Sequence, residues 1–204
     1  MHRTRLVTAL ILALGLCASS QGSRAAEANE DTAFQKRIFG RIMVGKKIHA
    51  CYKRVYDPAH LAAHPQQNVR TMLLLVTGDP NDGTSPSYGL GIGVTFRQSG
   101  LHFESAGSCG AIHDLAGSAL GSAHCSVDCD GGGIDVAIKD ATAVLVSIPE
   151  GARIWKSGDT SDQPTNERRR FGADDKVFRL DKTALTDCLQ LAAEDEKSAM
   201  RRGQ

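Results

Sequence analysis

Aromatic side chains are scarce in this chain: they make up 5% of 204 residues, and tryptophan occurs once, at Trp155. That scarcity fits poorly with a carbohydrate-binding surface built from exposed aromatic platforms. An excess of charge is missing too, since 24 basic residues stand against 23 acidic ones for a net of +1. A nucleic-acid binder needs a basic face, so that class is excluded. The one dense basic run, Asn166–Phe171 (NERRRF), reads as a solvated loop. No stretch approaches the roughly 20 apolar residues of a membrane-spanning helix. No repeat at a fixed period is present.

What is there begins with a leader. His2, Arg3 and Arg5 precede an apolar run from Leu6 to Leu16, followed by small residues, which is the layout of a secretory signal peptide spanning 1–28. Ser23-Arg24-Ala25 and Ala26-Glu27-Ala28 place cleavage between residues 25 and 28. Cys17 raises a lipid anchor, but Leu16 stands where a lipoprotein signal wants a small residue. Cleavage removes three arginines and one glutamate, leaving 21 basic and 22 acidic residues. The expected location is therefore exported, periplasmic or secreted, with no integral membrane segment after signal removal.

The remaining chain reads as an N-terminal helical arm over 29–46, one β-rich domain over 47–193 and a frayed tail over 194–204. Phe34, Ile38 and Ile42 recur at helical spacing in the arm, which reads as a docking arm or a frayed terminus. From Ile48 the period changes to strand-like alternation through Ala50, Tyr52 and Val55. Asp57 and Pro58 mark the start of a short helix that sets His60 and His64 on one face, half of a metal site or two solvated histidines. Asn68–Thr77 reads as a buried strand. In Tyr88–Arg97, Gly89, Gly91 and Gly93 share one face, so the strand bends or a neighbouring backbone comes close. Gln98-Ser99-Gly100 suggests a hairpin into Leu101–Ala106. Two short strands joined through Lys139-Asp140, a strand in Gly151–Lys156 and a last one at Val177–Leu180 follow. Asp181 is placed to cap a C-terminal helix that carries Cys188. Short strands with frequent turn signals point to a mostly β fold: a small sandwich or barrel with a short N-terminal and a C-terminal helix, disulfide-stapled.

Six cysteines occur, and five of them, Cys51, Cys109, Cys125, Cys129 and Cys188, lie outside the leader. Export favours disulfides, with at least one cysteine left over. The preferred pairs are Cys51 with Cys188, clasping the first strand to the last helix, and Cys109 with Cys125, closing a small-residue loop. Three chemistries compete with stapling. Cys109, His113, Cys125 and Cys129 supply zinc-type ligands. Asp128-Cys129-Asp130 with Gly133 begins like a calcium loop, but Gly132 and Lys139 stand where ligands belong. Gly107-Ser108-Cys109-Gly110 is similar to the nucleophile turn of chymotrypsin-like cysteine proteases, with His49, His60 or His64 as an upstream base.

The segments His124–Val136 (HCSVDCDGGGIDV) and Gly172–Asp181 (GADDKVFRLD), followed by Cys188, resemble exported bacterial proteins of unknown function. Those proteins share a Cys-x3-Cys-Asp-Gly-Gly core and an Asp-Asp-Lys-x-Phe-Arg-Leu segment. The resemblance implies a secreted domain and assigns no activity, so Asp174 and Asp175 read either as ligand-holding or as a solvated acidic turn. The reading is an exported, non-catalytic binding or inhibitor-like module, without a cofactor, whose partner is a protein or a small molecule. The alternatives are a hydrolase using Cys109 and a zinc protein.

Overall fold

The structure, a computed structural model, describes residues 20–81, 86–110, 121–128, 131–158 and 170–203, with backbone alone for 20–29. Nine strands run in chain order: β1 (Ile48–Val55), β2 (Val69–Asp79), β3 (Ser87–Phe96), β4 (His102–Cys109), β5 (Ser122–Val127), β6 (Gly133–Ile138), β7 (Ala143–Ser147), β8 (Trp155–Lys156) and β9 (Val177–Thr183). Each strand from β1 to β6 pairs antiparallel with the next. β9 then pairs with both β7 and β1, so the meander closes into an eight-stranded barrel. β8 stands outside that circuit, paired to Phe103 and Glu104 of β4. The choice between sandwich and barrel thus falls to the barrel.

Alternation fills it. Directly opposed residues share a face, and the pairs Leu74–Ile92, Val94–Phe103, Cys125–Ile134 and Val146–Phe178 all point inward. An eight-stranded barrel is just wide enough to be packed by side chains or to hold one small ligand. Here Tyr52, Met72, Leu74, Ile92, Phe178 and Leu180 occupy the interior, each no more than 2% exposed.

One mouth is closed by α1 (Ser20–Phe39), whose Phe34, Ile38 and Phe39 are buried in the same core. The Tyr52 hydroxyl and the Lys182 ammonium both donate to the Ile38 carbonyl, at 2.8 and 2.9 Å. Carbonyls near a helix C-terminus lack helical partners and favour positive charge, so this pair fixes the end of α1. Tyr88 donates to Asp31, and Gln35 Nε2 donates to the Tyr88 hydroxyl at 3.1 Å. Instead of a separate arm, residues 34–39 are part of the barrel core, and a cut between 25 and 28 falls within α1 and keeps these contacts. The following loop lies on the surface, with Val44 83% exposed.

The C-terminal segment departs from the single helix expected after Asp181. Asp181 lies in β9, opposite Ala143 and Lys53, and pairs with Arg54 and Arg179. A 3-10 helix (Leu185–Leu191) follows, then extended backbone at Ala192 and Ala193, then α3 (Glu194–Arg201). Packing explains the break. In one continuous α-helix, positions twelve apart are rotated by about 120°, so Cys188 and Met200 would not both face the barrel. The break lets both turn inward, and with Cys51, Leu73 and Leu75 they form a second core on the outer face of β1 and β2. The tail expected to fray therefore holds α3, with Met200 1% exposed.

Of the acidic pair before β9, Asp174 is exposed, as a solvated turn would have it, but Asp175 is not. Asp175 is fully buried and accepts backbone N–H bonds from Asn68 (2.8 Å), Val69 (3.2 Å) and Gly172 (2.7 Å). A Cβ on Gly172 would collide with the Gln66 carbonyl, so the turn needs glycine there to approach β2. Asp175 is a clamp between two chain segments, and none of its described contacts leaves it facing a ligand.

Candidate functional site

Because the interior is packed, the site must be sought outside. Outward positions of β2, β3 and β4 alternate with the core residues, and on β3 they are Gly89, Gly91 and Gly93. A Cβ on Gly91 would meet Leu191 Cβ at 3.3 Å and its carbonyl oxygen at 3.5 Å, and one on Gly93 would meet Leu191 Cδ2 at 3.3 Å. The missing side chains let the end of the 3-10 helix lie directly on the sheet, which is the close approach that the glycine spacing suggests. Beyond Leu191 the floor stays open over Gly89 and Ala106, flanked by Leu75 and Thr77 of β2, and the result is a groove of about 600 Å³.

Two walls bound it. On one side stand Gln190 to Ala193 and Glu196, and on the other Glu104 of β4 and Trp155 of β8. Glu104 and Trp155 are direct partners in the β4–β8 pairing. Neighbouring direct partners hold their Cβ atoms about 5 Å apart on one face. Trp155 is partly buried against the core. Among the described residues, no lysine, arginine or histidine lines the groove.

The two carboxylates differ in their surroundings. Glu196 accepts from Lys47 Nζ at 2.9 Å and is bonded to His49 Nε2 at 3.1 Å. Burial pushes its carboxyl up, but the bonds to Lys47 and His49 outweigh that and hold it below the usual carboxylate range. The same pairing raises Lys47. His49 is buried, and its Nδ1 has no hydrogen-bond partner among the described residues. This trio anchors α3 to β1. Glu104, half-buried, makes no hydrogen bond or ion pair with any described residue.

The residues singled out in the sequence lie elsewhere. Cys109 and Cys125 face each other across β4 and β5 and are joined by a disulfide, and Cys51 is joined to Cys188. These are the two pairs the sequence suggests. The first bridge overturns both alternative chemistries at Cys109: a bridged sulfur is neither a thiolate nucleophile nor a zinc ligand. His113 and Cys129 of the zinc set lie outside the described residues. Among the described residues, no group of three or more His, Cys, Asp or Glu side chains is placed to hold a metal ion. Of the calcium-loop positions, Gly133 starts β6, and the Gly132 carbonyl accepts from the Val127 N–H at 2.9 Å. Asp130 lies outside the described residues.

Asp57 does cap α2 (Pro58–Ala63), accepting from the His60 N–H at 2.7 Å. His60 and His64 share a face, with rings stacked 4.4 Å apart, and His60 also stacks on Tyr56. His60 Nε2 is already bonded to Gln67 at 3.0 Å, which leaves a stacked column in place of a ligand pair. His124 pairs with Asp135 on the surface at 2.6 Å. Comparison with protein-family models, with curated proteins and with solved structures gives no match.

Proposed function

We propose that this protein is an exported, non-catalytic binding or inhibitor-like module whose working face is the outer groove between the 3-10 helix and Trp155. The observation that carries the reading is the groove itself. Its floor is stripped of side chains at Gly89 and Gly91, and its wall sets the single tryptophan beside a half-buried carboxylate with no partner among the described residues. A rigid barrel locked by two disulfides is a suitable platform, because a preorganised face loses little conformational freedom on binding. The leader at 1–28 and the bridges support export, and the likeness to exported bacterial proteins agrees with it.

Blocking the groove tests the reading. Ala106 is exposed on the floor, so Ala106→Arg fills the groove while leaving the core untouched. Ligands found by screening against Trp155 fluorescence are expected to bind the parent protein, to lose binding in Ala106→Arg at an unchanged melting temperature, and to be recovered chemically intact. Turnover of the ligand, or binding that persists in the blocked variant, would refute the proposal.

A further inference from the structure

We infer that the groove seats a lysine or arginine side chain of an extended polypeptide, held between the Trp155 ring and the Glu104 carboxylate. This rests on the groove being the binding face. Of its two carboxylates, Glu196 is already balanced by Lys47 and His49, whereas Glu104 has no charge partner among the described residues. With no cationic side chain among the described residues of the lining, Glu104 stands as an uncompensated negative charge in a partly desolvated cleft. An anionic ligand would be repelled there, and a neutral one would cover Glu104 without pairing it. A cation resolves both difficulties.

The neighbour of Glu104 sharpens the choice. Trp155 stands beside it on the same face, and the face of an indole is the most favourable aromatic surface for a cation. A guanidinium can stack on that ring and present its planar donors to a carboxylate at its edge, so arginine suits the pair better than lysine. At Gly89 and Ala106 the floor has no bulky side chain to lift a ligand away, so the backbone on one side of the cation can lie flat across β3 and β4, with Leu191 bounding it on the other.

Trp155 is the only tryptophan in the chain, so intrinsic fluorescence reads the site directly. The full-length mature protein is titrated with three acetylated, amidated pentapeptides, alanine throughout except for a central arginine, glutamine or glutamate. A saturable change with the arginine peptide alone is expected, weakened at least tenfold in Glu104→Gln and several-fold at high salt. Equal binding of all three peptides, abolished by Ala106→Arg, would overturn the charge assignment and leave the groove standing as the binding face. Arginine-peptide binding that survives Ala106→Arg would overturn both. An unchanged affinity in Glu104→Gln, or no saturable response to any peptide, would overturn the inference.

Discussion

Removing the two disulfides one at a time should not cost the same. Cys51 and Cys188 are 137 residues apart and Cys109 and Cys125 are 16 apart. In the chain-entropy description a cross-link stabilises by restricting the unfolded chain, and the restriction grows with the logarithm of the loop. That gives about 5 kcal/mol for the long bridge and about 3 kcal/mol for the short one. Packing adds a smaller difference, since both cysteines of the long bridge but only Cys125 of the short one are fully buried. Cys51 and Cys188 are fully buried beneath the C-terminal segment, so truncation to alanine also removes contacts from the second core. Against the typical 5–15 kcal/mol of a whole domain, the double variant Cys51→Ala/Cys188→Ala should be near the limit of folding. Cys109→Ala/Cys125→Ala should remain folded with a lowered midpoint. Urea unfolding followed by far-ultraviolet circular dichroism reads both, with linear extrapolation to water. The reasoning is refuted if the short-bridge variant proves the less stable of the two, or if losing the long bridge leaves the midpoint unchanged.

The carboxylates of Asp175 and Glu196 carry further testable outcomes. Asp175→Ala leaves three buried N–H groups without their acceptor and should cost about 3 kcal/mol or more, measured by the same unfolding assay. Burial raises the Asp175 carboxyl despite its three N–H donors. Its folded value therefore lies above its unfolded one, and the associated stability is present below the unfolded value and lost as pH rises through the folded value. Asp175→Asn should flatten that part of the stability profile. Glu196 carries the opposite sign: its lowered value stabilises α3 docking above the unfolded value, and this is lost as pH falls through the folded value. Amides of residues 194–201 should exchange faster on acidification in the parent protein, and Glu196→Gln should show the faster exchange already at neutral pH.

Much of the fold was legible because alternation is a local signal. The positions of β1, β2, β3 and the β6–β7 hairpin follow from residues that alternate within a few positions of one another. Closure was not legible, since the pairing of Cys51–Lys53 with Asp181–Thr183 joins segments about as far apart as the chain allows. Alternation identifies a buried face but not whether the sheet returns to its own first strand. Likewise the glycine row on β3 announced a close approach without naming Leu191 as what approaches. The burial of Asp175 leaves no local trace for a related reason. Adjacent acidic residues in a turn look solvated, and beside the local Gly172 N–H the donors that bury Asp175 lie more than 100 positions upstream. The groove wall left the weakest trace of all, because β8 is two residues long and cannot show a period, yet it brings Trp155 to Glu104. Cysteine pairing could be anticipated because Cys51 lies on a strand near the start of the domain and Cys188 in the segment that ends it.

The most direct test of a sulfur-locked barrel is to isolate the processed protein from its native compartment, alkylate it under denaturing conditions without reductant, and weigh it intact. The expected mass corresponds to a chain beginning after residue 25 to 28, four hydrogens lighter for two bridges, with no more than one cysteine alkylated. Alkylation at Cys51, Cys109, Cys125 and Cys188 together would contradict it and return Cys109 to consideration as a reactive thiol.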